Sequence, residues 1–188
     1  ALALTTTASA QPAAPPAPAK ALPMALALEA AQTAVTTCAA NGYKVTAVIL
    51  DAAGDTRLVL SGDGASSRTV SIATRKAFTA VTLNRPTIEL ADAIKADPTI
   101  GRRIEADPRM ISWAGARPVS MGGQPAGALA VSGAPGGDKD DACVAAGLAT
   151  SQVAAAKFLI EEVRSFDPAH PDPVDAFAVP PSPGRSVA

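Results

Sequence analysis

The spacing of apolar residues changes several times along the chain, and each change predicts a secondary-structure element. Apolar residues recur at intervals of three and four in segments typical of amphipathic helices. These predicted helices cover residues 26–40, 66–83, 87–96 and 138–165. Short apolar runs between turn residues predict five strands, at residues 45–51, 56–60, 110–114, 118–121 and 126–132. A short helical turn is expected between the Asp-Pro pairs that begin at positions 97 and 107.

The order of these elements indicates the fold class. In chain order it is αββαα-βββα, in which strands follow one another as hairpins instead of alternating with helices. Hairpins produce antiparallel neighbours, whereas βαβ units produce parallel ones. We therefore predict an α/β protein of the α+β type, with a mostly antiparallel five-stranded sheet flanked by helices.

Composition divides the chain into one domain and two tails. Residues 1–25 are rich in Ala, Pro and Thr, and residues 166–188 are rich in Pro. Such segments bury too little apolar surface to offset the entropy that is lost when they become ordered. The folded domain is therefore expected over residues 26–165, preceded by a disordered leader or linker and followed by a Pro-rich tail.

The charge of the chain argues against two classes of partner. Its 16 basic and 17 acidic residues give a formal net charge of −1. Basic residues are not clustered with aromatic ones, so a nucleic-acid partner is not expected. No apolar run is long enough to predict a membrane span.

The first residues suggest where the protein acts. Ala8-Ser9-Ala10 before Gln11 resembles a signal-peptidase site, and the apolar residues 1–4 resemble the end of a hydrophobic signal region. We therefore expect a signal-peptide remnant and a periplasmic or secreted protein. The alternative is a low-complexity leader on a cytosolic protein.

The two cysteines leave two alternatives open. Cys38 lies near the end of the first predicted helix and Cys143 near the start of the last. Antiparallel packing of those helices would bring the thiols together, and an exported protein would allow a disulfide. Two buried free thiols on apolar helix faces are the other alternative.

The second predicted helix is the candidate for ligand binding. Between Ser66 and Arg85 it carries Arg68, Arg75 and Lys76 but no acidic residue. Such a basic strip can hold carboxylates through charge-assisted hydrogen bonds. The alternative is a solvated helix face that pairs with acids from elsewhere in the chain.

Other candidate sites have ordinary explanations. The Gly-rich segment 133–137 precedes a helix, but Asp138, Asp140 and Asp141 would repel a phosphate there and are expected to cap that helix. Trp113 is expected in the core rather than as a stacking partner. No catalytic residues are predicted, since His170 lies in the Pro-rich tail.

Three segments resemble the GlcG/HbpS-like family, small α/β proteins that include haem-binding members. They are VILDAAGDTRLVLSGDGA (48–65), RKAFTAVTLNRPTIEL (75–90) and GALAVSGAPGGDKDDACVAAG (127–147). The resemblance implies an antiparallel sheet flanked by helices and assembly into oligomers. It also implies an exported haem-binding protein that sequesters, senses or uses haem. A haem-degrading enzyme and a non-catalytic oligomeric accessory or signalling protein are the alternatives.

The resemblance also implies which residues would contact haem. Arg75, Lys76 and Thr79 would line the pocket, Arg109 would meet a propionate at its rim, and Met110 could ligate the iron. The alternative for Met110 is the filling of a gap in the core. Exported relatives carry acidic residues usable for iron one turn before the RKAFTA segment. The corresponding residues of this chain, 71–74, are not acidic, so an iron–carboxylate site is not expected.

Overall fold

The computed structural model describes residues 22–121 and 123–149. In this part of the chain, five α-helices accompany a four-stranded sheet. The helices are α1 (Met24–Ala40), α2 (Arg68–Leu83), α3 (Leu90–Ala96), α4 (Pro98–Ala106) and α5 (Gly137–Leu148), with a 3₁₀ turn at Thr87–Glu89 before α3. The strands are β1 (Thr46–Asp51), β2 (Thr56–Ser61), β3 (Ala116–Met121) and β4 (Gln124–Ser132).

The sheet is antiparallel throughout and has the strand order β2-β1-β4-β3. Val48 of β1 lies between Val59 of β2 and Ala130 of β4. Helices cover both faces of the central strands, which explains why β1 is buried at five of its six positions instead of at alternate ones. The α+β class and the antiparallel sheet agree with the sequence prediction.

The two faces of the sheet have different cores. On one face α1 and α5 pack over Ala47, Ile49 and Leu129. On the other face α2 packs over Val48 and Leu50 through small alanine side chains. Those alanines, Ala73, Ala77 and Ala80, are completely buried. Small residues allow the backbone of α2 to approach the sheet closely, so α2 is firmly placed.

A disulfide between Cys38 and Cys143 joins α1 to α5, with 5.7 Å between their Cα atoms. The structure therefore contains the first of the two alternatives drawn from the sequence. Close packing supports the bridge, because a Cβ added to Gly147 of α5 would overlap the carbonyl oxygen of Ala30 in α1.

The prediction of a fifth strand at residues 110–114 is wrong, and the backbone hydrogen bonds there give the reason. Arg75 Nη2 donates to the Met110 carbonyl oxygen at 2.8 Å, and the Ile111 N–H donates to Thr79 Oγ1 at 2.8 Å. Side chains of α2 thus occupy groups that a neighbouring strand would need. The segment is a loop that lies across α2.

Other boundaries differ less. The predicted helical turn after Asp97 is the nine-residue helix α4, whose first-turn Thr99 N–H donates to the Asp97 carboxylate. The predicted last helix is present as α5 to Leu148, and residues 150–165, the Pro-rich tail and His170 lie outside the described residues. Residues 1–21 of the predicted leader also lie outside them, whereas Leu22 is buried and α1 begins at Met24. Within residues 22–121 and 123–149, no helix combines the length and apolar character that a membrane crossing requires.

Candidate functional site

A groove of about 560 Å³ opens beside the first half of α2. Its other walls are the loop that carries Trp113 and the Gly-rich segment 133–137 at the start of α5. This volume falls within the range of about 300–1,000 Å³ that is usual for small-molecule sites. The groove is therefore the candidate binding site.

The α2 wall of the groove changes from charged to apolar to charged with depth. Arg68, Ile72 and Lys76 follow one another at intervals of four residues, so successive members lie about 6 Å apart along the helix. Arg68 is exposed, Ile72 is half-buried, and Lys76 is buried in the floor. A ligand entering this groove would meet a cation first and an apolar side chain below it.

An ion pair forms the floor. Lys76 Nζ lies 2.6 Å from Asp140 Oδ2 and also donates to the Val131 carbonyl oxygen at 3.1 Å. The other oxygen of Asp140 accepts the Ala134 N–H at 2.9 Å. Burial raises the pKa of the Asp140 carboxyl, and the charge of Lys76 opposes that rise. The pair joins α2, β4, α5 and the Gly-rich segment at one point.

Gly115 makes room for this pair. Its φ of +115° lies in the region that favours glycine, and an added Cβ would come within 2.6 Å of Asp140 Cβ and 2.9 Å of Lys76 Nζ. Any side chain at this position would therefore push the pair apart.

Trp113 stands at the rim of the groove with 56% of its surface exposed. The expectation that this residue lies in the core is therefore wrong. Its neighbours Ser112 and Ala114 are exposed and half-buried, which is consistent with a loop at the surface. Large exposed aromatic side chains beside a cavity are typical of binding sites.

Arg75 and Thr79 hold the Trp113 loop rather than line the groove. Their bonds to the backbone of Met110 and Ile111 fasten the loop to α2, and Thr79 Oγ1 also donates to the Arg75 carbonyl oxygen at 2.9 Å. Neither residue is among the described residues that line the groove. Among the three residues expected to line a pocket, Lys76 reaches this one.

Met110 and Arg109 lie away from the groove. Met110 is 2% exposed and packs with Leu90 and Ile104, as the gap-filling alternative expects. Arg109 pairs with Asp107, Nη2 to Oδ2 at 2.7 Å, and its guanidinium lies 4.3 Å from the centre of the Phe78 ring. Hydrogen bonds from Arg109 lower the pKa of Asp107.

The acids at the start of α5 do not behave as the sequence suggested. The Gly136 position before the helix has no side-chain cap. Asp140 turns inward to Lys76, and Asp141 binds Arg117 through two hydrogen bonds of 2.6 and 3.1 Å. The capping prediction is therefore wrong for these two residues. Their burial, 3% exposed each, is the feature that sequence spacing alone did not indicate.

The groove fits part of a haem and not all of it. Trp113 and Ile72 offer surfaces for a flat apolar ring, and Arg68 offers a partner for a propionate. Haem iron is usually held by His, Cys, Met or Tyr, and none of these types is among the groove's described lining residues. The described lining of the groove thus fits the periphery of the cofactor and does not supply a usual iron ligand.

Comparisons with known proteins agree with the fold. A family model described as "Haem degrading protein HbpS-like" matches residues 22–149, whereas no curated protein matches the chain. A double mutant of Streptomyces reticuli HbpS is 35% identical, with a TM-score of 0.65, covering 77% of this chain and 99% of that one.

Two more distant structures share the fold at 23% identity. Klebsiella pneumoniae ORFY has a TM-score of 0.62 and is covered over 95% of its length, with 77% of this chain matched. A PduOC–haem complex has a TM-score of 0.61 and is covered over 94%, with 69% of this chain matched. The match of one family model to most of the chain, together with the 35% identity to HbpS, shows that this protein belongs to the HbpS-like haem-degrading protein family.

Proposed function

We propose that this protein binds haem in the groove between α2 and the Trp113 loop. The observation that carries the proposal is the exposed indole of Trp113 at the rim of a groove whose α2 wall presents Arg68. The family match and the PduOC–haem complex, which has the same fold, support haem as the ligand.

Each wall of the groove would contribute a different interaction. Trp113 would stack on the ring, an arrangement worth about 0.5–1.5 kcal/mol beyond burial for aromatic pairs. Ile72 would contact the ring edge, and Arg68 would bind one propionate through a charge-assisted hydrogen bond. Asp138, also at the groove, would repel a second carboxylate, so we expect that group of the ligand to point to solvent.

We further propose that the protein is exported to the periplasm or the medium and works as an oligomer. The Cys38–Cys143 disulfide supports export, because such bonds persist in oxidising compartments. For the oligomer, β2 is an edge strand of the sheet and its Val59 is 43% exposed, so it offers a surface on which a second copy could pack. Cell fractionation and sedimentation of the full chain test these two points.

Haemin titration tests the main proposal. A saturable shift of the Soret band should accompany quenching of Trp113, the single tryptophan of the chain. Trp113→Leu and Arg68→Gln should each weaken binding. Arg85→Gln, an exposed basic residue just beyond the other end of α2, is the matched control and should bind like the parent. No saturable shift at stoichiometric haemin would refute the proposal.

Haem degradation is a second candidate, because the family model carries that description. It differs from binding by requiring turnover. Adding a reductant to the bound complex in the presence of dioxygen, the oxidant that ring opening requires, would then bleach the Soret band and release iron. A stable spectrum over hours would leave binding as the function.

A further inference from the structure

We infer that the groove recognises the ring and the carboxylates of a tetrapyrrole, and that a metal at the centre of the ring contributes little to affinity. This inference rests on the proposed function, which it makes more specific. It predicts that metal-free porphyrins bind about as well as haem.

The groups best able to ligate a metal at the floor already bind one another. The Lys76 ammonium donates to Asp140 and to the Val131 carbonyl oxygen, so its nitrogen has no lone pair to offer. Asp140 uses one oxygen for Lys76 and the other for the Ala134 N–H. Binding a metal would require breaking an ion pair in which both side chains are at least 95% buried, which is unfavourable.

Two buried hydroxyl residues line the groove, Thr69 and Ser132, and the Thr69 hydroxyl is engaged. Thr69 Oγ1 lies 2.7 Å from Thr46 Oγ1 in a buried hydrogen bond. The sulfur atoms in the described residues are also placed elsewhere: Cys38 and Cys143 form the disulfide, Met110 and Met121 are buried, and Met24, at the start of α1, is exposed and not in the lining of the groove. The other polar side chains in the described lining, the hydroxyls of Ser66 and Ser132 and the carboxylate of Asp138, are not among the usual ligands of haem iron.

The groups that remain available face the periphery of a ring. Arg68 is exposed and has no ion-pair partner among the described residues, so its guanidinium can receive a carboxylate. Trp113 presents its indole to solvent, and Ile72 lies between Arg68 and the floor. An aromatic plane, an apolar side chain and one free guanidinium together recognise a flat ring that carries an acid.

Titration of the full chain with matched porphyrins tests the inference. Haemin, metal-free protoporphyrin IX and zinc protoporphyrin IX are compared by quenching of Trp113 fluorescence. Their dissociation constants should agree within about fivefold, a difference of about 1 kcal/mol. The dimethyl ester of protoporphyrin IX should bind more weakly than the free acid, and Arg68→Gln should remove that preference.

The outcomes separate the inference from the proposed function. Haemin binding that is tighter than metal-free binding by about a hundredfold or more would overturn the inference while leaving haem binding intact. His170→Ala would then show whether the tail histidine supplies the iron ligand. If none of the porphyrins binds, the proposed function fails and the inference fails with it.

Discussion

Lys76 and Asp140 are 64 positions apart in the chain and form an ion pair of 2.6 Å inside the fold. The side chain of Lys76 is 2% exposed and that of Asp140 is 5% exposed. Each partner also bonds a backbone group, Lys76 to Val131 and Asp140 to Ala134. The pair thereby fixes α5 and the Gly-rich segment against α2, which sets the depth of the groove.

Removing one partner of this pair should be far more harmful than removing both. Lys76→Met leaves the Asp140 carboxylate buried without its cation and should lower the free energy of unfolding by about 3–5 kcal/mol. The double variant Lys76→Met/Asp140→Leu should recover part of that loss, because apolar residues of similar volume tolerate burial. Urea denaturation of the single and double variants measures the coupling.

The exposed pair between Asp92 and Lys95 provides the control. Its side chains are 88% and 77% exposed, so Lys95→Met should change stability by less than about 1 kcal/mol. Equal losses for Lys76→Met and Lys95→Met would contradict the role given to the buried pair.

The periodicity of apolar residues predicted most secondary-structure elements, but not the hydrogen-bond partners of each segment. The helix at α2 follows from its apolar spacing, and four of the strands follow from short apolar runs between turns. The apolar residues Met110 and Ile111 suggested a fifth strand, and in the structure both are buried. Their backbone instead bonds to Arg75 and Thr79, 35 and 32 positions away, a relationship that local patterning does not contain.

The same limit applies to the candidate site. The basic, acid-free character of α2 is visible in the sequence. Residues far away in the chain decide which of its basic side chains form ion pairs. Lys76 is neutralised by Asp140, whereas Arg68 has no ion-pair partner among the residues that the structure describes. The exposure of Trp113 likewise depends on how its loop crosses α2.

Thr79→Val tests whether α2 fastens the Trp113 loop. The substitution keeps the shape of the side chain but removes the acceptor for the buried Ile111 N–H. An unsatisfied buried donor costs about 1–3 kcal/mol, so stability should fall by that amount. Trp113 fluorescence anisotropy should also fall, because the loop would move more freely.

Thr74→Val on the same helix is the matched control. Thr74 Oγ1 donates to the Val70 carbonyl oxygen of its own helix, and the structure gives it no bond to the loop. This variant should leave Trp113 anisotropy unchanged. If both variants alter the anisotropy equally, the bond from Thr79 is not what holds the loop.

The start of α4 should respond to pH. Hydrogen bonds from the Thr99 hydroxyl and N–H lower the pKa of the Asp97 carboxyl. A lowered pKa contributes stability that is present above the ordinary value of 3.8 and is lost as pH falls through the folded value. Asp97→Ala should therefore destabilise the protein at pH 7, and the difference from the parent should shrink as the solution becomes more acidic.

Asp97→Asn separates the cap from its charge. Asn accepts the same backbone hydrogen bond and does not titrate. It should retain most of the stability at pH 7 and give a smaller loss than Asp97→Ala at every pH above the folded pKa. Denaturation curves at several pH values for the three proteins make the comparison. An Asp97→Ala deficit of constant size down to strong acid would argue against this assignment.

The disulfide should be a large contribution to stability. Cys38 and Cys143 are 105 positions apart. In the chain-entropy model, closing a loop of that size lowers the entropy of the unfolded chain, which stabilises the folded state by about 4–5 kcal/mol. Both residues are at most 2% exposed, so a reductant should act slowly on the folded protein and rapidly once denaturant opens it. Cys38→Ala/Cys143→Ala should unfold at a lower urea concentration than the oxidised parent.

The reduced parent separates loss of the cross-link from loss of the two sulfur atoms, since it retains both thiols. Thiol labelling of the oxidised protein under denaturing conditions should detect no free cysteine; two labelled cysteines would show that the bridge does not form.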